Sequence, residues 1–281
     1  MLSRRWLINY ALVILIAGLA FTGFNFDATR GKQAEQRISL LTPADINRIE
    51  IQADALRLEL QRNADDWQIT SPINWPAQTA NVSRLLSILN LESAAVAEIA
   101  DVDLEPLGLQ PPVATWRLND TQLLFGATNN IGERRYVILD SALFLLPDVH
   151  LAFAAQGLSG MVDRRLLPQR SDIETLQLPE VFIQRNDAGQ WHSTDQPELT
   201  QAVLQQLITN WQQLSASSIR PFNLDAKPGK VIEFRFVGGQ EIDFLLQSTE
   251  PEIVIANPKI GLQYHFRADF HDQLIAPRND G

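Results

Sequence analysis

Cysteine is absent from all 281 residues. That excludes disulfides, thiolate metal ligands, a cysteine nucleophile and the lipid attachment of a bacterial lipoprotein. Disulfide-free proteins occur in every compartment, so the absence assigns none.

Positive charge is scarce. The chain has 23 Lys and Arg against 33 Asp and Glu, a net charge of -10, and no Lys/Arg run of five or more beyond its first hydrophobic stretch. Such a chain repels phosphate backbones, which excludes nucleic acid as a partner.

Histidine is equally sparse: His150, His192, His265 and His271 include no i, i+4 pair. His265, Asp269 and His271 are the one set able to converge on zinc. Two histidines in a polar tail are far more often surface residues, and neither a metal nor a cofactor is expected.

The usual catalytic devices are missing too. Gly157-Leu158-Ser159-Gly160 lacks the glycine spacing of a nucleophile elbow. The run from Gly126 to Gly132 matches neither a phosphate loop nor a dinucleotide fingerprint, and reads as a loop between strands. Asp101, Asp103 and Glu105 alternate with Val102 and Leu104, with the spacing of neither a glycosidase pair nor a calcium loop, and read as a solvated acidic edge. No catalytic residue is expected, and the chain is read as non-enzymatic.

What is present begins with Arg4 and Arg5 ahead of Leu7–Phe24, 18 residues without a charge. As a helix that stretch spans about 27 Å, enough for a hydrocarbon core. Trp6 and Tyr10 lie at its charged end, where amphipathic rings favour the interface. The expectation is a single-pass transmembrane helix within residues 1–26. The two arginines would stay cytoplasmic and the rest would lie outside, in the periplasm of a bacterial inner membrane. A cleaved signal peptide, with Gly18 and Ala20 at the cut, is the competing reading; the apolar run through Phe21, Phe24 and Phe26 exceeds its usual core. Residues 27–44 are polar and read as a tether.

The remainder carries a pattern twice. Asp45-Ile46-Asn47-Arg48-Ile49-Glu50-Ile51 and Asp172-Ile173-Glu174-Thr175-Leu176-Gln177-Leu178 both alternate with period two, as half-buried strands do. Each is followed by a second strand ending in Gln-Arg-Asn (Gln61–Asn63, Gln184–Asn186), a turn, and a tryptophan, Trp67 or Trp191. A helix follows in each case: Val82, Leu85, Leu86 and Leu89 share one face, as do Leu204, Leu207, Ile208 and Trp211. Asn81 is the expected cap of the first; Asp195 and Glu198, with Pro197 between them, form the expected capping box of the second. Four further strands follow each helix, with hairpin turns at Asn119-Asp120 and Gly238-Gly239.

The expected class is therefore α+β: an N-terminal transmembrane helix, then two tandem β-rich repeats at 45–169 and 170–281, each an antiparallel sheet with a packed helix.

The order Trp67-Gln68-Ile69-Thr70-Ser71-Pro72, Ala77, the helix over 82–91, Leu107-Gly108-Leu109-Gln110-Pro111-Pro112, Phe125-Gly126, Tyr136-Val137 and Val162-Asp163-Arg164-Arg165-Leu166-Leu167 resembles the bacterial domain-of-unknown-function family DUF4340. The resemblance covers roughly residues 45 to 200. Members of that family are often encoded beside ABC-transporter permeases and gliding-motility-type auxiliary proteins. It implies an envelope protein accompanying a transporter-like membrane complex, and it carries over no catalytic residue. Gly108, Pro111, Pro112 and Gly126 read as structural.

Two functional readings follow. The first is an envelope accessory or scaffold protein with membrane or envelope protein partners. Arg164 and Arg165 are its candidate contact residues, against the plainer reading of a salt-bridged connector. The second is a binding module for an envelope glycan or small ligand, with Trp75 and Trp116 as candidate aromatics.

Overall fold

Period-two alternation dominates the chain after residue 45, and strands are what it forms. A computed structural model describes residues 36–93, 96–129, 132–168, 171–223 and 229–279. In chain order the first strands are β1 (Gln36–Arg37), β2 (Arg48–Ala53), β3 (Leu56–Asn63), β4 (Asp66–Ser71), β5 (Trp75–Pro76), β6 (Glu92–Ser93) and β7 (Ala97–Glu98). Then come β8 (Ala114–Leu118), β9 (Thr121–Asn129), β10 (Arg134–Leu139) and β11 (Ala142–Pro147). The last are β12 (Ile173–Gln177), β13 (Phe182–Arg185), β14 (Trp191–Ser193), β15 (Ser218–Pro221), β16 (Lys230–Phe236), β17 (Glu241–Ser248), β18 (Glu252–Asn257) and β19 (Leu262–Arg267). The helices are α1 (Thr79–Leu86), α2 (Val149–Ala154), α3 (Gly157–Met161), α4 (Gln201–Gln213) and α5 (His271–Leu274).

The chain divides into two compact units: Met1–Thr42 with Leu89–Val113 and Leu123–Asp148, and Pro43–Ile88 with Ala114–Gln122 and Val149–Gly281. In the larger unit, one antiparallel series runs β5-β4-β3-β2-β8 and a complete eight-stranded sheet runs β14-β13-β12-β16-β17-β18-β19-β15. In the smaller unit, β9-β10-β11-β7 form an antiparallel series, and β1 pairs with β6. The two halves of the sequence thus use one strand order: β4-β3-β2-β8 answers to β14-β13-β12-β16, and β9-β10-β11-β7 to β17-β18-β19-β15. The shared departure is the seventh and fifteenth strands, which follow the helix yet pair with the last strand of their series.

Alternation decides which side chains are buried. In the larger unit β2, β3 and β8 turn Ile49, Ile51, Leu58, Leu60, Trp116 and Leu118 inward, and α1 adds Val82, Leu85 and Leu86. In the eight-stranded sheet Ile183, Ile232, Phe234, Phe244, Ile253 and Phe266 are buried. There α4 contributes Leu204, Leu207, Ile208 and Trp211. The Trp211 ring lies 4.9 Å from Phe234 and 5.9 Å from Phe244, and its Nε1 donates to the Leu274 carbonyl at 2.8 Å. Each such side chain removed from water contributes about 1.5–3 kcal/mol. In the smaller unit Leu109, Ile138 and Leu143 gather Val102, Leu104 and Leu107 around them.

The expected α+β class is corrected to a mostly β fold of antiparallel sheets with few, short helices. The apolar stripe expected to carry a helix through Leu89 stays α-helical only to Leu86. From there a 3-10 turn, Ser87–Asn90, takes over, with the Ser87 hydroxyl donating to the Arg84 carbonyl at 2.7 Å. The longest described helix, α4, has 13 residues. The expected transmembrane helix finds no counterpart: no described helix is long and apolar enough to cross a membrane, and residues 1–35 lie outside those described.

Both expected caps are also displaced. Gln78, not Asn81, caps α1 without a side-chain bond, while Asn81 Nδ2 donates to the Gly160 carbonyl at 2.8 Å. Asp195 accepts from the Phe182 N–H at 3.1 Å, so α4 starts later, where Thr200 Oγ1 accepts from Val203 N at 3.4 Å. The expected loop from Gly126 begins as strand, because β9 continues to Asn129.

Candidate functional site

The connector that precedes the second half of the chain is a strap rather than a loop. Met161, Val162, Leu166 and Leu167 are all buried. Buried backbone must find hydrogen-bond partners, and this segment finds them on two sides. On one side the Met161 carbonyl accepts from Gln78 N at 2.7 Å, Val162 bridges to Ala77, and Asp163 N donates to the Pro76 carbonyl at 2.9 Å. On the other, Ala216 N donates to the Arg164 carbonyl at 2.9 Å and Arg165 bridges to Ser215. Within five residues the strap therefore joins the segment after β5 to the segment leading into β15.

Asp163 is only 5% exposed. An isolated carboxylate there would be costly, and Arg165 removes the cost. Its backbone N–H and Nε reach Oδ1 at 3.0 and 3.1 Å, Nε also reaches Oδ2 at 3.2 Å, and Nη2 closes the fork on Oδ2. Hydrogen bonding to Asp163 outweighs burial and raises the Arg165 pKa above its ordinary value, with the charges of Asp163 and Asp66 adding to the effect. Arg164 is exposed, and its Nη2 donates to the Ser217 carbonyl.

Beneath the strap lies a buried aromatic pair. Tyr264, on β19, is fully buried and Trp75 nearly so, yet neither the Tyr264 hydroxyl nor Trp75 Nε1 completes a hydrogen bond of good geometry. Burial raises the Tyr264 pKa far above its ordinary value; the neighbouring Trp75 opposes the shift and the Asp163 charge adds to it.

Beside the strap is a recess of about 340 Å³, lined by the Asn63–Gln68 turn, Pro76, Ala77, Asp163 and Pro168. Arg62 stands over the floor residue Trp67, and its Nη2 and Nη1 donate to the carbonyls of Pro43 and Ala44 at 2.8 and 3.1 Å.

The structure separates the other sequence candidates. His265 Nδ1 meets Glu252 at 3.0 Å, Asp269 is held by Arg267, and His271 Nδ1 meets Asp272 at 3.2 Å, so the three do not converge. Among the described residues no group of three or more His, Asp or Glu could hold a metal ion. Asp103 and Glu105 are exposed on a segment whose Val102 and Leu104 face the smaller unit's core. Trp75 and Trp116 are 8% and 0% exposed and offer no aromatic platform to a glycan.

Sequence reasoning found Asp163, Arg164 and Arg165 but missed Tyr264 and the Ser215–Ser217 segment. Main-chain acceptors carry no sequence signal, and a lone Tyr inside an alternating strand reads as core.

The strap and the matching strand orders define a mostly β protein built on antiparallel sheets. The chain belongs to the family described as Domain of unknown function (DUF4340), whose model matches residues 67–230, more than half of its length. No curated protein and no solved structure matches the chain.

Proposed function

We propose that this chain is a non-enzymatic accessory or scaffold protein of the bacterial envelope, an auxiliary subunit of an ABC-transporter-like membrane complex. The supporting observation is the strap. It fixes two sheet-bearing parts of the larger unit through main-chain bonds and leaves Arg164 exposed, its Nη2 on the Ser217 carbonyl. An exposed planar guanidinium on a segment held by main-chain bonds suits docking to a partner's carboxylates or carbonyls.

The test is affinity purification of the tagged full chain from cells after brief crosslinking. Recovery of transport-complex subunits in constant ratio, reduced at least fivefold by Arg164→Glu, is the expected result. Recovery of the protein alone overturns the reading.

A further inference from the structure

A second recess lies where β16 and β17 of the eight-stranded sheet meet the C-terminal residues. It holds about 420 Å³, within the range of small-ligand sites. Its walls come from four places: the Pro179-Glu180 turn, the start of β16 at Gly229-Lys230, the end of β17 at Leu246–Thr249, and the C-terminal His271, Ile275 and Ala276.

Its construction departs from a regular strand end. The register between β17 and β18 shifts between Leu246 and Ser248, which places Gln247 in a bulge. Bulges re-aim side chains and are over-represented beside functional sites. The Gln247 amide nitrogen is buried without a hydrogen-bond partner, an arrangement that calls for an explanation such as a bound group. Gly229 allows it: a Cβ there would stand 2.6 Å from the Leu246 carbonyl oxygen and 2.7 Å from Gln247 Nε2.

Lys230 carries an exposed ammonium whose one carboxylate neighbour among the described residues, Glu180, is 3.7 Å away and itself exposed. His271 is committed to Asp272, its Nδ1 donating to the carboxylate at 3.2 Å. Ser248 is engaged locally, its hydroxyl donating to the Glu250 carbonyl and accepting from Glu250 N. Opposite these groups the wall is apolar: Pro179, Leu246, Ile275 and Ala276.

We propose that this recess binds a small organic carboxylate with a short apolar chain. The carboxylate would displace Glu180 from Lys230 and accept from the unpartnered Gln247 amide. The chain would lie against Leu246 and Ile275. The Lys230 ammonium favours a carboxylate over a neutral alcohol by its charge, and the buried Gln247 amide adds a charge-assisted hydrogen bond that an alcohol oxygen would accept only in its weaker neutral form.

The probe is sodium hexanoate, titrated into the full chain and followed by the backbone amide resonances of Leu246 and Ala276 and the Gln247 side-chain NH₂ pair. Hexan-1-ol serves as the neutral control. Expected are saturable shifts with hexanoate, at least tenfold weaker saturation with hexanol, and at least tenfold weaker hexanoate binding in Lys230→Ala. Gln247→Leu removes the unpartnered amide; it is expected to hold or raise the melting temperature while weakening hexanoate at least fivefold. Shifts that grow linearly without saturating, equal responses to hexanoate and hexanol, or unchanged binding in both variants would overturn the proposal. None of these readouts involves Arg164, so the result is independent of the crosslinking experiment.

Discussion

Arg62 lies over the indole of Trp67, its guanidinium carbon 4.9 Å from the ring centroid. The corresponding pair in the second half, Arg185 over Trp191, is spaced at 5.9 Å. In both places the arginine also reaches back to the start of its own series, Arg62 to the Pro43 and Ala44 carbonyls and Arg185 to the Asp172 carboxylate at 2.8 Å. The repeated Gln-Arg-Asn triplet and tryptophan are thus one device: a planar cation laid on a ring and tied to the entering chain.

Arg62→Lys keeps the charge but loses the fork that reaches two carbonyls. A loss of about 1–2 kcal/mol is expected from the cation–π contact and the hydrogen bonds together. Urea unfolding of the two proteins checks it; a change under about 0.3 kcal/mol would assign the stacking to chance proximity.

Arg165→Ala leaves the Asp163 carboxylate buried without its partner and is expected to cost about 3 kcal/mol. Asp163→Leu combined with Arg165→Met removes both charges and is expected to recover more than half of that loss. The comparison of single and double variants by denaturant midpoint separates the cost of an orphaned charge from the value of the pair.

His150 is buried, and burial, followed by the nearby Arg84 charge, lowers its pKa below the ordinary 6.5. The neutral ring meets the Ser87 hydroxyl at 3.0 Å. Above pH 6.5 both folded and unfolded states hold it neutral, so its stabilising contribution is whole. As pH falls from there through the lower folded value, the unfolded chain takes up the proton first and that contribution is lost. His150→Gln is expected to flatten the stability profile on that acid side; an unchanged slope between pH 6.5 and 5 would exclude His150 as its source.

Gly126 admits no side chain: a Cβ there would stand 2.3 Å from the Leu107 carbonyl oxygen and 2.8 Å from Leu109 Cγ. Gly126→Ala is expected to destabilise the smaller unit by about 2–3 kcal/mol, through a backbone that cannot yield as a flexible side chain would. Proteolysis of that unit, read by mass spectrometry, is expected to precede cleavage elsewhere.

The sequence announced the long hairpin strands and hid their closure. Val113–Leu118 and Glu252–Ala256 alternate over enough residues to declare a strand, and the structure places strands within one residue of both. Strands β5, β7 and β15 have two to four residues and carry no period. Their existence depends on which edge they meet. Asp195 carried a capping signal that was chemically sound, but the Phe182 N–H holds its carboxylate. For the strap, the residue types pointed to the place. The partners of Arg164 and Asp163 N are main-chain groups, which no residue type encodes. Membership of the DUF4340 family follows from residues 67–230, and those residues include both tryptophans and the strap.

The order of strands also sets a timetable. Strand β2 pairs on one side with β3, a few residues on, but on the other with β8, where Ile49 meets Leu118. During synthesis the Arg48–Ala53 edge therefore stands open until some seventy residues later have emerged, an estimate of the kind that makes long-range β pairing slow. The same wait recurs for β12 and β16. A fragment ending before Ala114 would keep that edge exposed for good, and exposed edges recruit other chains. Cutting this protein into soluble pieces must respect the pairing of its strands, because a boundary placed between β3 and β8 leaves a sheet half zipped.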